Sequence, residues 1–155
     1  MTIKAVLVYD FDGTLAVGNC AEHGLMSALG VSDVAEFWKK VKAATKERDA
    51  DEILTYLGSL ALQARMVRKR EELSPARLRE HGASIPLFPG VVRWFPRINE
   101  FAEQSSLELE HYIVSSGLEE MIRGTAIAGY FRMVFGCRYH YDMASGYAKW
   151  PATAI

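Results

Sequence analysis

The sequence predicts an α/β protein with a large helical insertion, and three stretches carry that prediction. Residues Ala5 to Tyr9 form an apolar, β-branched run that stops at Asp10, the pattern of a strand buried inside a sheet. From Leu15 onward the apolar spacing turns helical and stays so for about seventy residues with no strand between. A second extended run, Leu107 to Val114, then closes in Ser115-Ser116-Gly117.

The first strand ends in chemistry. Side chains alternate along an extended segment, so Asp10 and Asp12 project to one side and Phe11 to the other. Two like charges held close are costly unless a cation neutralises them, and two hard oxygen donors suit Mg²⁺. The carboxyl ends of parallel strands are also where open α/β sheets bind ligands. An Asp-Gly turn alone would account for neither the strand nor the second carboxylate.

Composition bounds the rest. The 155 residues are 50% apolar and 24% charged, which is ordinary for one globular domain or a small core with an inserted subdomain. A formal net charge of -1 gives no reason to expect nucleic acid or an anionic membrane as the main partner. No apolar run approaches the ~20 residues needed to span a bilayer, and the N-terminus is too brief for a signal-peptide core. Cys20 and Cys137 form no metal-ligand pattern and read as free thiols of a reducing cytoplasm.

Within the insertion, Leu25, Met26 and Leu29 mark a helix over residues 19–29, with Gly30 just past its end. Ser32 or Asp33 caps a second helix from Val34 to about Lys46, and Asp49 or Asp51 caps a third that leads to Met66. Ser74-Pro75 starts a short fourth helix ending at Gly82. Arg65, Arg68, Lys69 and Arg70 either reach an anionic group of a substrate or complement a helix dipole in solvent. Pro86 to Val91 is a Pro- and Gly-marked linker into a helix from about Gly90 to Glu103. Pro96 either kinks that helix or sits in the first turn of one starting near Phe95.

After the second strand the spacing predicts a helix from Leu118 to Ile127, a third strand over Phe131 to Phe135, and a hairpin from Cys137 on. A hydroxyl at a strand end beside the N–H groups of a helix start suits phosphate oxygens, which singles out Ser115, with Ser116 and Gly117 as main-chain donors. Capping of the following helix is the plainer role for either serine. His23, His81, His111 and His140 lack partners at metal-ligand spacing and read as structural or surface residues.

Asp10-Phe11-Asp12-Gly13-Thr14-Leu15 after an apolar strand resembles the first motif of the haloacid dehalogenase superfamily, and Ser115 at the end of the second strand resembles its second motif. The resemblance implies a Rossmann-like, doubly wound parallel sheet built from 1–16 and 86–155, with the helical insertion 17–85 as its cap. It also implies a Mg²⁺-dependent phosphatase acting on a small phosphorylated substrate. Asp10 would be the nucleophile, Asp12 the acid and then base, both carboxylates would lie at the metal, and Ser115, Ser116 and Gly117 would bind phosphate.

The chain departs from the family pattern at its third motif, a lysine, and at its fourth, an acidic pair. Lys149 lies on a predicted strand and Asp142 in the hairpin. Three core strands where the fold needs at least five would leave an exposed sheet edge open to self-association. The alternatives are a shortened chain, one completed by a partner copy, or a diverged non-catalytic binding module.

Overall fold

The computed structural model describes residues 3–155. Its sheet has four strands in the order β1-β2-β3-β4: β1 (Ile3–Tyr9), β2 (Leu107–Leu118), β3 (Met133–Tyr141) and β4 (Ala148–Thr153). The first three are parallel, with Tyr9 beside Ile113 and Val114 beside Phe135, and β4 returns antiparallel to β3. This is the expected Rossmann-like α/β fold.

Between β1 and β2 come α1 (Leu25–Ala28), α2 (Val34–Arg48), α3 (Glu52–Met66), α4 (Pro75–Gly82) and α5 (Val91–Gln104). The caps decide the starts. Carboxylates of Asp33 and Asp51 accept from the amides of Glu36 and Leu54, and the Ser74 hydroxyl from that of Arg77, so each satisfies an amide the helix cannot. The first helix is shorter than its spacing implied, because residues 20–22 form a 3₁₀ turn capped by Asn19 before α1 begins. Helix α5 begins at Val91 and runs through Pro96, which rules out a start near Phe95.

Three further boundaries moved. Strand β2 continues through Ser115, Ser116 and Gly117 to Leu118, where the sequence placed a strand end and helix start. Helix α6 is therefore only Glu119–Arg123. The predicted third strand and the first arm of the hairpin are one strand, β3, because Phe135, Gly136 and Cys137 stay extended between them. Gly136 permits this: a Cβ there would lie 2.9 Å from the Glu119 Cα, so only glycine lets α6 settle on β3.

Helix α5 covers one sheet face, with Phe95 wholly buried against Tyr9, His111 and Phe131. The insertion joins the same hydrophobic cluster: Leu57, Leu60 and Leu78 are buried with Phe11, Leu118 and Met121. Where α4 crosses α6, Cβ atoms on Gly82 and Gly124 would each fall 2.0 Å from a main-chain oxygen of the opposite helix, so the two backbones touch. The segments on either side of the first four helices also pair, Val17 N–H donating to Pro86 O and Phe88 N–H to Leu15 O, both at 3.0 Å. Among the described residues no helix is long and apolar enough to cross a membrane.

Candidate active site

The carboxyl end of β1 turns sharply. The carbonyl of Phe11 accepts from the amides of Thr14, Leu15 and Ala16, and Gly13 takes a φ of 74°, which glycine adopts without a Cβ clash. Phe11 is wholly buried and anchors the turn between the two carboxylates. Asp10 is exposed, and one of its oxygens accepts from the Thr14 hydroxyl at 2.9 Å.

Asp12 sits deeper. Its Oδ1 accepts from the main-chain N–H of Cys20 at 2.9 Å, while its Oδ2 is buried with no hydrogen-bond partner among the described residues. Burial pushes the Asp12 carboxyl up to about 6; the Cys20 amide opposes that and the charge of Asp10 adds to it. A carboxyl poised there can hold a proton near neutral pH and release it.

Strand pairing brings the end of β2 to this point. A Cβ placed on Gly117 would be 3.1 Å from Asp12 Oδ2, 3.1 Å from Cys20 Sγ and 3.3 Å from Ser115 Oγ, so three polar atoms converge where glycine leaves room. Asp12 and Ser115 are thus neighbours. Ser115 is buried, and its oxygen accepts from Gly117 N–H at 3.0 Å, which occupies that amide locally. The Ser115 hydroxyl proton is free to donate.

Cys20 is the residue that sequence reasoning missed. It read as an unremarkable thiol, yet its amide holds Asp12 and its sulfur accepts from Leu118 N–H at 3.4 Å, tying the insertion to both motif strands. Burial keeps the thiol well above its ordinary pKa, so it stays protonated. A main-chain donor carries no side-chain signature, so no sequence signal could have marked it.

Several other candidates are engaged elsewhere. Lys69 donates to the Ala28 carbonyl and the Arg70 guanidinium lies 4.6 Å over the Tyr147 ring, so half of the basic cluster is structural. Lys149 pairs with Asp142 at 2.5 Å within the hairpin. The histidines pack or bond structurally: His111 between Tyr9 and Asn99, His81 on Glu72, His23 on the Val17 carbonyl, and His140 stacked on Trp150.

No group of three or more His, Cys, Asp or Glu that could hold a metal occurs among the described residues. The donors that are present fit Mg²⁺ in kind, since Asp10 and Asp12 offer hard oxygens and Mg²⁺ takes few protein ligands and keeps several waters.

No protein-family model matches the chain. An uncharacterized protein of Borreliella burgdorferi is 33% identical over 141 residues, which cover 86% of this chain and 49% of the relative. The chain therefore spans about half the length of the curated relative it matches. Among solved structures, a phosphoserine phosphohydrolase-like protein from Francisella tularensis aligns over 97% of this chain and 64% of its own, with a TM-score of 0.59 and 18% identity. A phosphoserine phosphatase determined as a phospho-aspartyl intermediate analogue covers 94% of this chain and 61% of its own, at 0.54 and 17%. A had family hydrolase from Salmonella enterica serovar Typhi covers 89% and 42%, at 0.52 and 17%. At such identities the likeness is one of fold, and the chain shares the α/β fold of these hydrolases.

Proposed function

We propose that this chain is a Mg²⁺-dependent phosphatase of the haloacid dehalogenase type that hydrolyses a small phosphate monoester through an aspartyl-phosphate. One observation carries the reading: an exposed carboxylate, Asp10, beside a half-buried one, Asp12, whose second oxygen is unpartnered, at the carboxyl end of β1. A carboxylate oxygen of Asp10 attacks phosphorus as the ester P–O bond breaks, and Asp12 gives its proton to the departing alkoxide. Water then attacks the same phosphorus and loses its proton to Asp12, and the bond from Asp10 to phosphorus breaks to release phosphate. Mg²⁺ at Asp10 and Asp12 would offset the charge of the phosphoryl group. Ser115, with the amide of Ser116, would hold the non-reacting oxygens, and the Gly117 amide would join them only by leaving Ser115 Oγ.

Residues 17–85 are the cap in this reading, with 1–16 and 86–155 as the core, and two buried free cysteines fit a reducing cytoplasm. Among the described residues the outer edge of β1 has no strand partner and is available for self-association.

The test is hydrolysis of an aryl phosphate by this chain with and without Mg²⁺, beside Asp10→Asn. Turnover that needs both Mg²⁺ and Asp10 is expected. No turnover above the variant, in a chain folded by circular dichroism, would leave the second reading, a non-catalytic binding module. The pairing of Lys149 with Asp142 in the hairpin favours that second reading.

A further inference from the structure

Helices α2 and α3 pack as an antiparallel pair and leave between them an open apolar groove of about 560 Å³ whose lining includes neither Asp10 nor Asp12. Phe37, Val41 and Ala44 form one wall. Along the other run Leu54, Leu62 and Met66, which are 45%, 57% and 70% exposed, in a row that also contains Gly58. At 1.5 Å per residue this row is ~18 Å long, the length of three helical turns.

Gly58 is the informative member. It lies in the interior of α3, where glycine is a poor helix former, and no positive φ requires it. A Cβ there would meet nothing within 4 Å. Gly82 and Gly124 are explained by the backbones they touch, whereas nothing in this chain's own packing asks for glycine at 58. What glycine does at that point is keep the groove floor low enough for a second backbone to approach.

The charges say what kind of backbone. The charged residues lining the groove are both cations, Lys40 and Arg48. Helix α2 carries five Lys or Arg against two Glu, in a chain whose net charge is -1. A second copy docking the same surface would bring these cations together. We propose that the groove binds an amphipathic helix of another protein, its apolar face seated over Gly58 and its acidic flank against Lys40 and Arg48.

A labelled synthetic helical peptide of about 18 residues tests this, with leucines at i, i+4, i+7 and i+11 and glutamates flanking them, beside its lysine-flanked twin. Fluorescence anisotropy with the full chain should show the glutamate peptide binding about tenfold tighter than the twin. Gly58→Leu should fill the floor and cut that binding about tenfold, with the melting midpoint unchanged or raised, and Lys40→Glu with Arg48→Glu should reverse the preference. Should Gly58→Leu unfold the chain, Gly58→Ala and the charge reversal decide. Equal binding of the two peptides, no binding of either at ~1 mM, or binding indifferent to both residue 58 and the charge reversal would overturn the proposal. So would a dimer in light scattering that Gly58→Leu dissociates, which assigns the groove to a second copy, or displacement of the peptide by dodecanoate at equal affinity, which assigns it to a small amphiphile.

Discussion

Phe135 and Gly136 are neighbours on β3 and face opposite sides of the sheet, with opposite surroundings. Gly136 is buried so tightly under α6 that its hydrogen is all that fits, whereas Phe135 stands 43% exposed. The contrast holds across the sheet. On the Gly136 side, α5 and α6 cover Tyr9, His111, Ile113 and Val134; on the Phe135 side, Val6, Val8, Val114 and Met133 lie open to solvent. Parallel strands are ordinarily covered on both faces, and β1 is apolar on both. The described residues supply one of the two layers, and the curated relative is about twice the length of the stretch it shares with this chain. That open face mixes its apolar side chains with charged ones, Lys4 pairing with Glu108 and Arg132 with Glu110.

Substitutions on the two faces should separate by a wide margin. Phe95→Ala, which empties the centre of the covered face, should cost about 3–5 kcal/mol in urea denaturation, while Phe135→Ala should cost about 1 kcal/mol. Equal losses would mean that the open face is covered in solution. Gly136→Ala should cost about 1–3 kcal/mol on the covered side, because the α6 backbone at Glu119 must move to admit a methyl group.

A pH titration sharpens the same contrast. His111 is the buried imidazole of the covered face, bonded to Tyr9 and Asn99 and packed on Phe95, and burial holds it below its ordinary value of 6.5. The folded chain therefore binds that proton less readily than the unfolded one. Stability from this site is complete above 6.5 and is lost as the pH falls through the lowered folded value. Melting midpoints of His111→Gln should be flatter than wild type across that window. The smallest effect belongs to the hairpin at the far edge of the sheet, where Lys149 and the amide and hydroxyl of Ser145 hold the Asp142 carboxyl far below the usual carboxylate range. Lys149→Ala should shift the melting midpoint by no more than ~2 °C, since exposed ion pairs contribute little.

Much of the site was legible because its residues announce their chemistry. Asp10, Asp12 and Ser115 stand at the ends of apolar runs, and strand pairing brings Asp12 and Ser115 to one point. The caps Asp33, Asp51 and Ser74 were legible for the same reason, since a side-chain oxygen satisfying a helix amide is a local event. Cys20 was not legible, because what matters is its amide and that donor is common to nearly every residue. The extension of β2 through Gly117 was hidden too, since Ser-Ser-Gly reads as a loop until strand pairing and the neighbouring Asp12, Cys20 and Ser115 are in place.

By itself, then, the sequence determined the α/β class and the run of helices between the first two strands, which follow from period and capping within short windows. Tertiary structure alone decided that α4 and α6 touch through Gly82 and Gly124, that Cys20 orients Asp12, and that one sheet face is covered while the other is open. Those outcomes depend on which distant backbones approach one another. Periodicity reports which side of an element is apolar but not what arrives to cover it.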